Sequence, residues 1–230
     1  AQLTLDAQGR DVGPQRAFQC IARVGDSGCG IEGQLEGARR ALDGHLGANN
    51  GFLRADSILA VLFITDEDDC SVSLAGRREN DPTTSNCAAA NFNAGPECFN
   101  PDYRCLARST VCDQALNTIG QKTGCVERPA SYLEPIDSYV RFFTALRPAS
   151  RLVISSINTP SLSQGGNLTV SYERNGTNSF ELNRGTGADG ACQSALDMTI
   201  IGRPQHRLSK FIRAVGGTEV NICQTDRYGT

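Results

Sequence analysis

Eight consecutive residues, Ile58-Leu59-Ala60-Val61-Leu62-Phe63-Ile64-Thr65, carry no charge and do not alternate between apolar and polar. A strand with one wet face alternates. This run therefore predicts a strand covered on both faces, as in the middle of a mainly parallel sheet under helices. It stops at Asp66-Glu67-Asp68-Asp69-Cys70. Open α/β sheets place their ligands beyond the carboxyl ends of their strands, so four acids here form the first candidate site. A second buried strand is expected over Arg151–Ile157, and a short third over Glu219–Cys223.

Helices alternate with these strands. Ala17, Phe18, Ile21 and Ala22 repeat at helical spacing after Pro14, which is tolerated in a first turn. Ile31, Leu35, Ala38, Leu42 and Leu46 form one face of a second helix, with Glu36 and Arg40 at i,i+4. Ile136, Tyr139, Val140, Phe143 and Leu146 define a third, closed by Pro148, and a fourth runs from about Pro204 to Val215. Helix–strand alternation predicts an α/β fold with a doubly wound, mainly parallel sheet flanked by helices. Between residues 159 and 191, β-character at Leu168–Tyr172 and Ser179–Leu182 brackets Asn175-Gly176, a hairpin signal.

Residues 71–125 are different: Asn, Pro, Gly and Ser rise and helical periodicity fades, while six cysteines fall between Cys70 and Cys125. The whole chain has ten: Cys20, Cys29, Cys70, Cys87, Cys98, Cys105, Cys112, Cys125, Cys192 and Cys223. An even, heavy count against two histidines (His45, His206) reads as a disulfide framework in an oxidising compartment. Zinc would want closely spaced pairs, and Cys98, Cys105 and Cys112 recur every seven residues with no histidine near. Sequence separation suggests Cys20–Cys29 and Cys192–Cys223, while the central six stay open among fifteen connectivities. The domain reading is a lead-in over 1–13, an α/β domain over 14–70 and 126–230, and a disulfide-rich loop insertion over 71–125. The sole methionine is Met198, so Ala1 is no initiator and the chain reads as processed or as a piece of something longer.

Several functions are disfavoured. A formal charge of −3 gives no basic face for nucleic acid, and no apolar run approaches the length of a membrane span. Gly25-Asp26-Ser27-Gly28 resembles the nucleophile loop of trypsin-like proteases, but no histidine precedes Ser27, and hydrolysis is not expected. The two histidines read as surface or half-buried helix residues. The acidic run suits a hard cation, although no EF-hand spacing is present. Twenty arginines against two lysines suggest a GC-rich bacterial source. Asn167 and Asn175 begin glycosylation sequons, read as chance in such a chain.

Phe18-Gln19-Cys20-Ile21-Ala22 with Gly25 to Glu32, Leu59 through Ser71, and the Arg203-Pro204 helix running into Asn221-Ile222-Cys223 together resemble a von Willebrand factor A-type domain. The closest likeness is to the cysteine-rich kind in myxobacterial secreted and surface proteins. The resemblance implies a doubly wound sheet topped by a metal-ion-dependent adhesion site. By position Asp66 matches the acid after the fourth strand, Ser27 the middle-loop hydroxyl, and Asp68 an accessory acid, with Mg²⁺ or Ca²⁺ as the ion. The D-x-S-x-S sequence that opens the site in that family occurs nowhere in these 230 residues. The family's central first strand is therefore missing, and Ile58–Thr65 is expected to show an unpaired apolar edge, filled by an N-terminal part of the same protein or by another subunit.

The functional expectation is a secreted or cell-surface bacterial binding and adhesion module that recognises a protein or glycan partner and is not an enzyme. The alternative is a structural subunit of an extracellular assembly, with its open sheet edge completed by another chain.

Overall fold

The computed structural model describes residues 5, 7–10, 12–21, 32–73, 110–116, 118–128, 133–159, 168–174, 180–182, 192–193, 201–203 and 205–223. They fall into two compact units, 1–30 and 31–230. The first holds helix α1 (Gly13–Ile21), begun close to Pro14 as expected. Its Phe18 is half exposed and Cys20 is an exposed free thiol. This corrects the expected Cys20–Cys29 bridge: the Cys20 sulfur stands on a solvent-facing helix position and bonds no other sulfur. Cys29 lies outside the described residues, as do Ser27, Cys87, Cys98 and Cys105.

The second unit is mixed α/β. Its elements are α2 (Gln34–Leu42), β1 (Leu59–Ile64), β2 (Thr110–Val111), β3 (Gly120–Glu127), α3 (Ile136–Leu146), β4 (Leu152–Asn158), β5 (Leu168–Arg174), β6 (Phe180–Leu182), β7 (Cys192–Gln193), β8 (Ile201–Gly202), α4 (His206–Ala214) and β9 (Thr218–Asn221). Strands β1, β4 and β9 form a parallel sheet in that order. Val61 lies opposite Ile154 and Phe63 opposite Ser156. Strands β2, β3, β5 and β6 make an antiparallel sheet, and β7 pairs with β8. The β5–β6 hairpin appears where Asn175-Gly176 predicts it.

One core organises the parallel sheet. Leu35 of α2, Phe63 of β1, Ile136, Tyr139 and Phe143 of α3, Ile154 of β4, and Leu208, Phe211 and Ile212 of α4 form a single buried cluster. Phe211 meets Phe63 and Phe143 edge-on, at centroid distances of 6.0 and 5.3 Å. Such contacts add about 0.5–1.5 kcal/mol each to area burial. Helix α4 ends at Gly216, whose φ of +70° suits glycine, and Gly217 N then donates to Ile212 O at 2.8 Å. This is the bonding that closes a helix through a left-handed residue.

All of these core residues use one face of the sheet, which corrects the expectation that β1 is covered on both. Leu59 and Phe63 are buried, whereas Leu62, Ile64 and Val153 on the opposite face are 54%, 51% and 52% exposed. Continuous apolar sequence does not itself put cover on the second face. Among the described residues β1 pairs only with β4 and is the edge strand.

The end of the cysteine-rich segment at residue 125 falls within a strand. β3 runs through it from Gly120 to Glu127, and pairing with β5 ties the end of the cysteine-rich segment to the later hairpin. A disulfide joins Cys112 to Cys125, and Cys70 and Cys223 are also disulfide-bonded. The expected Cys192–Cys223 pairing rests on a Cys192 side chain outside the described set. Among the described residues no helix is long and apolar enough to cross a membrane.

Candidate functional site

The loop leaving β1 meets the first turns of α2 and α4, and its acids take up different tasks there. Neither helix has a side-chain cap of its own: Gly33 precedes α2 and Gln205 precedes α4. The unpaired N–H groups of a first turn need acceptors, and the β1 loop supplies them. Asp68 accepts from Arg207 N through both oxygens at 3.1 and 3.0 Å and from Leu208 N at 3.0 Å, capping α4. Asp69 accepts from Leu35 N at 3.0 Å and Ser71 Oγ from Glu36 N at 3.1 Å, capping α2. Two helices about 170 positions apart in sequence are thus fixed by three nearly adjacent residues.

Asp69 is fully buried. It also accepts from Ser71 N and Ser71 Oγ, and forms an ion pair with Arg207 at 3.3 Å. The buried Arg207 guanidinium donates in addition to Asp69 O at 2.9 Å and Glu134 O at 2.7 Å. A buried ion pair survives when hydrogen bonds satisfy its remaining atoms; here Arg207 Nε and Nη2 are bonded, while Nη1 is buried with no hydrogen-bond partner among the described residues and lies 4.0 Å from a Glu127 oxygen. Burial pushes the Asp68 carboxyl up to about 6, against the pull of the Arg207 and Leu208 N–H groups. Burial also raises the Tyr139 phenol, whose hydroxyl donates to Glu36.

Of the three residues that the family resemblance assigned to a metal, Asp66 and Asp68 are among the described residues. Asp66 is exposed, and its carbonyl rather than its carboxylate holds the chain by accepting from Arg203 N at 2.7 Å. Asp68, the expected accessory ligand, has both its oxygens engaged by α4 as a helix cap. Ser27 lies outside the described residues. Among the described residues no group of three or more His, Cys, Asp or Glu side chains is arranged to hold a metal ion.

Residues that sequence reasoning missed lie beside these acids. Gln34 Nε2 donates to Thr65 Oγ1 at 2.8 Å and Glu67 O at 3.1 Å, and Gln205 Nε2 donates to Thr65 O at 3.0 Å. Thr65 N donates to Ile157 O, which sets Asn158 across from it. Asn158 and Gln205 are completely buried. A sequence signal existed, since Ser-Ser-Ile-Asn-Thr at the end of an apolar strand is unusually polar. His206 too is buried rather than half-buried, and burial lowers its imidazole to about 4. His45 is exposed just beyond α2.

No family model, curated protein or solved structure matches this chain, which leaves the geometry at the strand ends and along the sheet as the ground for a functional reading.

Proposed function

We propose that this chain is a binding module of a secreted or cell-surface protein, akin to von Willebrand A-type domains, and that it works through contact with another polypeptide rather than through catalysis. The observation that supports this most directly is the one-sided parallel sheet. Ile58, Leu62, Ile64 and Val153 are all more than half exposed, and β1 beside them, which carries no charged residue, is an edge strand among the described residues. Exposed apolar surface of this kind, next to unpaired strand N–H and C=O groups, suits strand addition by a protein. It suits a glycan poorly, because sugars need polar partners. The Cys112–Cys125 disulfide is compatible with an oxidising compartment.

Sedimentation of the purified chain over a wide concentration range tests the reading, with a second copy as the partner. Concentration-dependent association is expected, and Leu62→Glu with Val153→Lys is expected to abolish it while far-UV circular dichroism stays unchanged. A wild-type chain that stays monomeric at all concentrations, with unchanged sedimentation in the double variant, removes a second copy as the partner and with it the support for this reading.

A further inference from the structure

Three amides at the carboxyl end of the sheet, those of Asn158 and Gln205 buried and that of Gln34 half-buried, leave the same kind of atom over. Gln34 turns its NH₂ to Thr65 Oγ1 and Glu67 O, Gln205 to Thr65 O, and Asn158 to Glu219 Oε1 at 3.5 Å. Each bond needs a donor, so the amide orientations are fixed by their partners. The carbonyl oxygens Gln34 Oε1, Gln205 Oε1 and Asn158 Oδ1 are then buried with no hydrogen-bond partner among the described residues. Ser156 Oγ, one step back on the same face of β4, shares that condition. Asn158, Gln205 and Ser156 are completely buried.

A buried acceptor without a donor is costly, and several at one end of a sheet are not left empty without reason. What fills them must be drawn to oxygen. The surroundings add charge: Asp66, Glu67, Asp68 and Asp69 lead away from Thr65, against Arg203 and Arg207. Asp68 and Asp69 are engaged by the helix starts and Arg207, which leaves Asp66 and Glu67 as the acids of this strand end without a helix to cap. The ligating atoms themselves are neutral amide and hydroxyl oxygens, which compensate the dehydration of a monovalent ion better than that of a divalent one.

We propose that Gln34, Asn158, Gln205 and Ser156 form an internal site for a monovalent cation, Na⁺ or K⁺, that pins α2 and α4 to the ends of β1 and β4. This site uses neither the Asp66 carboxylate nor Ser27 and does not depend on the protein-binding reading above.

Thermal unfolding in NaCl, KCl and choline chloride at equal ionic strength tests it. The melting temperature is expected to rise by about 3 °C or more in Na⁺ or K⁺ over choline, saturating with concentration. The preference between Na⁺ and K⁺ names the ion. Gln205→Met keeps the side-chain length but removes the oxygen, and is expected to erase the difference between salts whatever its own stability. Asn158→Asp adds a charge and is expected to make millimolar CaCl₂ stabilising. A wild-type melting temperature that is the same in all three salts overturns the proposal and assigns these oxygens to ordered water. Leu62→Glu with Val153→Lys, which disables the open sheet face, is expected to leave the cation effect intact, so the two readings fail independently.

Discussion

Asp66, Asp68 and Asp69 stand within four positions of one another, and alanine at each should have a different cost. Asp69→Ala removes the acceptor for Leu35 N and the carboxylate facing Arg207, whose guanidinium is 1% exposed. Breaking a buried pair by deleting one partner costs about 3–5 kcal/mol, because the other charge stays buried. Arg207 keeps its bonds to Asp69 O and Glu134 O, so the loss belongs near the lower end, about 3–4 kcal/mol with the cap included. In a chain of this size that lowers the melting temperature by roughly 10 °C. Asp68→Ala loses the α4 cap, about 1 kcal/mol, part of which is returned because a buried charge goes with it. Asp66→Ala changes an exposed side chain and should stay within about 0.5 kcal/mol. Urea unfolding of the three variants, followed by circular dichroism, gives the order directly. Equal losses, or a largest loss at Asp66, would refute the capping account.

Two further outcomes follow from the same region. As pH falls from 6.5 to about 4, unfolded His206 takes up its proton before the folded form does, so this residue removes stability across that window, about 3 kcal/mol at full extent. Asp68 works in the opposite sense. Its folded form protonates near 6 and its unfolded form near 3.8, so it adds stability as pH falls through that range. Relative to wild type, His206→Gln should therefore gain stability between pH 7 and 4.5, and Asp68→Asn should lose it. Urea midpoints at the two pH values check both signs. At the far end of α4, a Cβ on Gly217 would lie 2.6 Å from Ile154 O and 2.9 Å from Ile212 Cγ2. Gly217→Ala must therefore push β4 from α4, and should cost about 2–3 kcal/mol in the same assay, whereas Gly37→Ala, with open space around it, should not destabilise.

The alternation of helices and strands, the strands over Ile58–Thr65 and Arg151–Ile157, and the later hairpin were legible because each has a local pattern. What covers a strand is not local. Leu62 and Phe63 are equally apolar in sequence, yet one is half exposed and the other buried, since burial depends on which faces α2, α3 and α4 reach. The cysteines behave alike in a count and differently in space: Cys112 and Cys125 are close enough to bond, whereas Cys20 is exposed and free.

The ambiguity of Asp68 has a more specific cause. In an α/β fold the carboxyl ends of parallel strands and the amino ends of the following helices lie on the same side of the sheet. Carboxylates there serve equally well as metal ligands and as acceptors for uncapped N–H groups. The acidic run alone does not separate these uses. The helix starts do, because Gly33-Gln34 and Gln205-His206 offer no Ser, Thr, Asp or Asn where a cap belongs. Two helices lacking local caps, beside a strand that ends in surplus acids, imply that some of those acids serve the helices. Subtracting Asp68 and Asp69 on that ground leaves Asp66 and Glu67 and turns attention to the neutral amides behind them.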